Sequence, residues 1–269
     1  MDQTKSTSVI RSEQRGSALW VTIDREERRN ALNPDVVAGI EAAFRSVAST
    51  PEIRAVVLTG AGEKAFCAGA DLSRGTGVFG DAALEPTTDF GRLARVAREM
   101  PIPIIARVNG ACVAGGMGLL AMCDLAVAAD HARFGLPEAK VGVFPMQVLV
   151  YLRRMVAPRH VNELCFMSDL IDAARAQEIG LVNAVVGNND LDAKVTSMVE
   201  RITAGSPLAI RRGRVAIHEL EAMGFHEALS YAEAQIALAA STPDAREGLA
   251  AFNERRSPQW FKAAGTSHD

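Results

Sequence analysis

Two apolar runs, residues 53–60 (IRAVVLTG) and 101–108 (PIPIIARV), pass directly into turns built from glycine and alanine. Continuous apolar runs of this length, rather than alternating ones, fit strands buried on both faces, as in the parallel sheet of an α/β protein. Around them the chain alternates. Residues 19–24 (LWVTID) read as a strand, and Asn33-Pro34-Asp35 as an N-cap with proline at the first helical position, opening a helix to about Ser49. A helix over about 88–100 precedes the second apolar run, and 124–129 (DLAVAA) is a further short strand. From Gln147 onward the pattern is helical almost throughout, so the chain is predicted to have a parallel-type sheet core followed by a helical C-terminal part. Gly205-Ser206-Pro207 punctuates the two, and the expected division is 1–200 for the core and 201–269 for the C-terminal helices. Those helices are apolar on one face and require a partner surface.

A chain of 269 residues with 23% charged residues and a net charge of −3 has no basic field for nucleic acid or anionic lipid. Cys67, Cys112, Cys123 and Cys165 form no CxxC pair and read as buried thiols. His131, His160, His218 and His226 show no metal spacing, and no metal is expected. The polar N-terminus lacks the apolar segment of a signal peptide, so a cytoplasmic protein is expected.

The stretch 109–124 (NGACVAGGMGLLAMCD) carries the chemistry question. It is too short and too rich in glycine to span a membrane. Gly116-Met117-Gly118-Leu119-Leu120-Ala121 matches a dinucleotide fingerprint, but it starts too far after the strand, and no acid closes a following strand. Alternatively, Gly115-Gly116 opens a helix whose first N–H groups face an oxyanion, or these glycines merely let a helix pack closely on the sheet. Residues 62–72 (GEKAFCAGADL) form a second small-residue turn after a strand, and two such turns could supply two donors to one oxygen.

These stretches, with 28–33 (RRNALN), 132–145 (ARFGLPEAKVGVFP), 173–186 (AARAQEIGLVNAVV) and 252–260 (FNERRSPQW), resemble the enoyl-CoA hydratase/isomerase (crotonase) superfamily over about residues 10–261. The resemblance implies an α/β fold with a ββα spiral core and a C-terminal helical trimerisation region, giving a homotrimer or a hexameric dimer of trimers. It implies an acyl-CoA thioester as substrate and no separate cofactor. The N–H groups of Ala70 and Gly115 would hold the thioester oxygen, and Glu138 would be the acid/base. Lys64, Ala68, Asp71 and Leu72 would lie along the coenzyme A path, Lys64 toward its phosphates, with Asp71 bracing its loop. Phe252 and Arg255 would reach the adenine end on a neighbouring subunit.

The chain departs from the family's hydratases at Gly118, where they carry a second glutamate, and at Pro145-Met146-Gln147, where they commonly continue PGAGG. One carboxylate suffices to lift a proton from one carbon and return it to another, which favours an isomerase-type double-bond shift. The alternatives are a hydratase working with one glutamate and a non-catalytic acyl-CoA-binding protein. Gly75, Gly77 and Gly80 suggest a flexible rim between Ser73 and Thr87.

Overall fold

The computed structural model describes residues 8–71, 73 and 87–260. In chain order its elements are β1 (Ile10–Arg15), β2 (Ala18–Ile23), α1 (Pro34–Ser46), β3 (Ala55–Gly60), β4 (Ala65–Cys67), α2 (Asp89–Glu99), β5 (Ile104–Val108), β6 (Ala111–Val113) and α3 (Gly115–Ala121). There follow β7 (Leu125–Ala129), β8 (Arg133–Gly135), a 3-10 turn (Pro137–Val141), α4 (Met146–Met155), α5 (Pro158–Phe166), β9 (Ile171–Asp172), α6 (Ala173–Glu178) and β10 (Ala184–Val186). Four helices complete the chain: α7 (Leu191–Thr203), α8 (Pro207–Leu220), α9 (Phe225–Ala240) and α10 (Pro243–Asn253). The rim expected between Ser73 and Thr87 lies outside the described residues, apart from those two ends.

Among the described residues the strands form a six-stranded sheet, β1-β2-β3-β5-β7-β10, and a four-stranded sheet, β4-β6-β8-β9. All pairs after β1–β2 in the first sheet are parallel, and in the second only β8–β9 is antiparallel. Three times in succession the chain gives one strand to the larger sheet and the next to the smaller: β3 then β4, β5 then β6, β7 then β8. Each pass ends at the same edge of the spiral, so the turns after β4, β6 and β8 become neighbours.

The central strands β2, β3, β5 and β7 of the larger sheet are buried on both faces, as the apolar runs predict for β3 and β5. Val56 and Leu58 of β3, with Ile104 and Ala106 of β5, point into the main core. Their alternates Ala55, Val57 and Ile105 point the other way, onto Leu191, Val195 and Val199 of α7. α1 starts where the sequence places it: the Asn33 side chain accepts from the Val36 N–H at 2.9 Å and Pro34 occupies the first turn.

Three features depart from the sequence reading. The helical stretch beyond Gln147 contains β9 and β10, and β10 closes the larger sheet against β7. β1 is a strand although only Ile10 of its six residues is buried, because its backbone pairing with β2 holds it. β4, β6 and β8, of three residues each, are strands rather than parts of turns. No described helix is long and apolar enough to cross a membrane.

Candidate active site

Two buried asparagines set the turn after β3. Arg29 and Asn30 adopt left-handed φ values of 51° and 56°, which turn Asn30 inward. Its amide donates to the carbonyls of Ala61 and Ala65 and accepts from the Arg25 N–H. Asn109, at the end of β5, accepts from the Gly60 N–H and donates to the carbonyls of Gly62 and Ala65. Side-chain amides here satisfy loop groups that no sheet ladder reaches. Both asparagines stand in stretches singled out by sequence, but their role emerges only from the contacts.

Beyond β4 the chain is pinned to residue 32. The Leu32 N–H donates to the Gly69 carbonyl at 2.7 Å and the Leu32 carbonyl accepts from the Asp71 N–H at 2.8 Å. This is the parallel-bridge pattern in which Leu32 engages both neighbours of Ala70. The N–H of Ala70 itself therefore points to the opposite side. At the start of α3, Ala114 holds φ 52° and ψ −120°, a conformation costly for a residue with a side chain, and its N–H donates to the Gly135 carbonyl at 2.9 Å. The Gly115 backbone that follows this strained residue lies beside Gly69 and Ala70. A Cβ placed on Gly115 would lie 3.8 Å from the Ala70 nitrogen, and one on Gly69 would lie 3.3 Å from the Gly115 nitrogen. Neither N–H has a backbone acceptor among the described residues.

The neighbouring glycines serve packing. A Cβ on Gly116 would overlap the Cys67 carbonyl oxygen, so that position lets α3 sit on β4. A Cβ on Gly118 would meet Phe90 Cζ at 2.6 Å and Val148 Cγ2 at 3.1 Å. Close packing applies to all three positions: a Cβ on Gly115 would meet Leu32 Cδ1 at 2.9 Å, so this glycine lets the turn approach residues 32 and 70, while Gly116 and Gly118 let α3 pack on β4, Phe90 and Val148. With seven residues, α3 contributes aimed donors more than a long dipole.

Glu138 follows β8 in the 3-10 turn, three residues after Gly135, which pairs in register with Val113. Leu136, fully buried, anchors the segment. Glu138 is half-buried, and its Oε2 is buried with no hydrogen-bond partner among the described residues. Burial pushes its carboxyl above the usual carboxylate range, partly offset by its own backbone N–H. This is not the solvated acid of an ordinary helix start. A carboxylate kept without a partner is available to a ligand proton.

The sequence profile described as enoyl-CoA hydratase/isomerase matches residues 13–263. The chain belongs to the enoyl-CoA hydratase/isomerase family. It is 34% identical over 253 residues to a crotonyl-CoA hydratase of Syntrophomonas wolfei, covering 92% of this chain and 95% of that protein. Its fold is similar to a crystal structure of an enoyl-CoA hydratase from Mycobacterium smegmatis, with a TM-score of 0.86 and 32% identity over 94% of this chain and 98% of the other. It is equally similar to an enoyl-CoA hydratase from Bacillus anthracis, with a TM-score of 0.88 and 30% identity over 93% and 98% of the two chains. The ββα spiral is thus the crotonase fold.

The other positions singled out from the family resemblance are spread over the molecule. Lys64 is exposed in the turn between β3 and β4, and its carbonyl accepts from the Ala111 N–H. Ala68 is fixed by donating its N–H to the Arg29 carbonyl. Asp71 braces its loop: it accepts from Ser73 and pairs with Arg25 at 3.0 Å, holding its carboxyl down at about 2. Leu72 lies outside the described residues. Phe252, 82% exposed, stands on α10, and Arg255 lies just beyond it with φ 53°. Burial pushes the Cys67 thiol up to about 12 and that of Cys112 still further from reactivity, which suits packing and not nucleophilic attack. Among the described residues no group of three or more His, Cys, Asp or Glu could hold a metal ion.

Proposed function

We propose that this protein shifts a carbon–carbon double bond in an acyl-CoA thioester, using Glu138 as its one acid/base. The observation that carries the reading is the partnerless Glu138 carboxylate in a site where position 118, the place of a second glutamate in the family's hydratases, is a packed glycine. Glu138 takes a proton from C2 of a 3-enoyl thioester. The resulting negative charge spreads to the thioester oxygen, where the N–H groups of Ala70 and Gly115 stabilise it as it develops. Glu138 then returns the proton to C4, leaving the 2-enoyl thioester. Lys64 meets the coenzyme phosphates, Ala68, Asp71 and Leu72 line the coenzyme path, and Phe252 and Arg255 reach the adenine end on a neighbouring subunit of a homotrimer or a dimer of trimers. Exposed apolar side chains on the C-terminal helices, among them Phe225, Ile236, Leu249 and Phe252, support that assembly.

The hydratase reading is favoured by the names of its relatives, including the crotonyl-CoA hydratase. Water addition to the 2-enoyl thioester would then proceed with Glu138 alone. Incubation with 3-enoyl-CoA and with 2-enoyl-CoA separates the readings: double-bond migration without 3-hydroxyacyl-CoA supports the isomerase, and rapid formation of 3-hydroxyacyl-CoA overturns it.

A further inference from the structure

We infer that Phe90 is a specificity-determining residue: its ring fills the place of a second acid beside the oxyanion donors and confines the site to one-carboxylate chemistry. The inference rests on the proton-transfer reading above and names what enforces it. Gly115 and Gly118 are one turn apart on α3 and share a face, so what stands over Gly118 lies about one helical turn from Gly115. What stands there is apolar. The Cζ and Cε1 atoms of Phe90 would lie 2.6 and 3.2 Å from a Cβ at 118, and Val148 Cγ2 would lie 3.1 Å from it. A glutamate side chain has no room beside that ring, and its charge would be set against two hydrocarbon surfaces.

The start of the helix that carries Phe90 is tied to α4. Thr88 caps α2 by accepting from the Gly91 N–H at 3.0 Å, and the same hydroxyl oxygen accepts from the Gln147 amide at the start of α4. The Thr88 hydroxyl thereby joins the start of α2, two residues before Phe90, to the start of α4, one residue before Val148, and both side chains meet at Gly118. The absence of a second glutamate is thus a repacked position, and the carboxylate cannot simply be put back. An apolar wall at this point also gives an attacking water no acceptor to orient it, leaving proton return to carbon as the open course.

Gly118→Glu, Phe90→Ala and the double variant test this, each assayed with 2-enoyl-CoA and 3-enoyl-CoA and melted. Gly118→Glu alone is expected to melt lower than the parent and gain no hydration. Adding Phe90→Ala is expected to recover part of that melting temperature and to hydrate 2-enoyl-CoA about a hundredfold or more faster than either single variant, the low end of what a positioned acid/base contributes. Equal hydration by Gly118→Glu with and without Phe90 overturns the inference, as does a double variant no better than the singles. The smaller pair Gly118→Ala and Phe90→Leu reads the same contact by melting alone: the alanine should cost stability in the parent and less in the Phe90→Leu background, and equal costs overturn it. That result is independent of Glu138, so loss of the proton-transfer reading and loss of the Phe90 contact remain separate outcomes.

Discussion

The amides of Ala70 and Gly115 belong to turns far apart in sequence yet lie side by side, a Cβ on Gly115 falling 3.8 Å from the Ala70 nitrogen. The relationship follows from the spiral. β4 and β6 are adjacent parallel strands of the smaller sheet, so the turns that leave them meet at one edge. The Leu32 bridge fixes Ala70, and the left-handed Ala114 fixes the entry into α3 at Gly115.

Gly115→Pro removes one of the two donors, at a position where Ala114 holds φ 52° and ψ −120° and an added Cβ meets Leu32 at 2.9 Å, so its kcat is read only on a variant whose melting shows it folded. Loss of one such donor costs on the order of 10²–10³ in kcat elsewhere, and a decrease of that size is expected here in enoyl-CoA turnover. Retention of parental kcat by a folded Gly115→Pro variant would remove Gly115 from the account.

Asn109→Ala leaves the Gly60 N–H and the Gly62 carbonyl without their side-chain partner in a position that is 1% exposed. Gly60 is buried while Gly62 is exposed and its carbonyl meets water, so one unsatisfied buried group sets the cost, and a destabilisation of about 1–3 kcal/mol is expected in urea unfolding. A change within about 0.5 kcal/mol would mean that water replaces the amide.

Asp71 is held at about 2 by the Ser73 hydroxyl and then by Arg25, against an ordinary 3.8. A carboxyl lowered by folding stabilises the fold fully above its unfolded value and loses that contribution as pH falls through the folded one. The stability gap between the parent and Asp71→Asn should therefore be constant above pH about 5 and close between about 4 and 2. A gap independent of pH across that window contradicts the brace.

Much of this architecture is legible in sequence. Doubly buried strands such as β3 and β5 announce themselves because every side chain must be apolar, and the Asn33-Pro34 cap fixes the start of α1. β1 was not legible: five of its six side chains are exposed, and only pairing with β2 makes it a strand. The three-residue strands are too short for any period to register. At the site, the glycine motifs mark the turns, but their spacing does not separate Gly115 beside Leu32 and Ala70 from Gly116 under Cys67. Phe90 reaches Gly118 across two helices, a tertiary contact that leaves no local pattern.

Burial raises the Glu138 carboxyl, so the base form appears at a higher pH than for an ordinary carboxylate near 4.5. The acid limb of kcat/KM should have its midpoint above that value. The same shift disfavours the folded state as pH rises through it, so Glu138→Gln should melt higher than the parent at neutral pH, with the difference gone below about pH 4. A parent and variant that melt alike at neutral pH would mean the carboxylate is solvated.

The central claim is that one carboxylate carries the proton. Turnover of 3-enoyl-CoA by Glu138→Gln, measured beside its affinity for the same thioester, tests it most directly. Loss of the acid/base should lower kcat by about 10²–10⁴ and leave binding nearly unchanged. Parental kcat in Glu138→Gln would contradict the account.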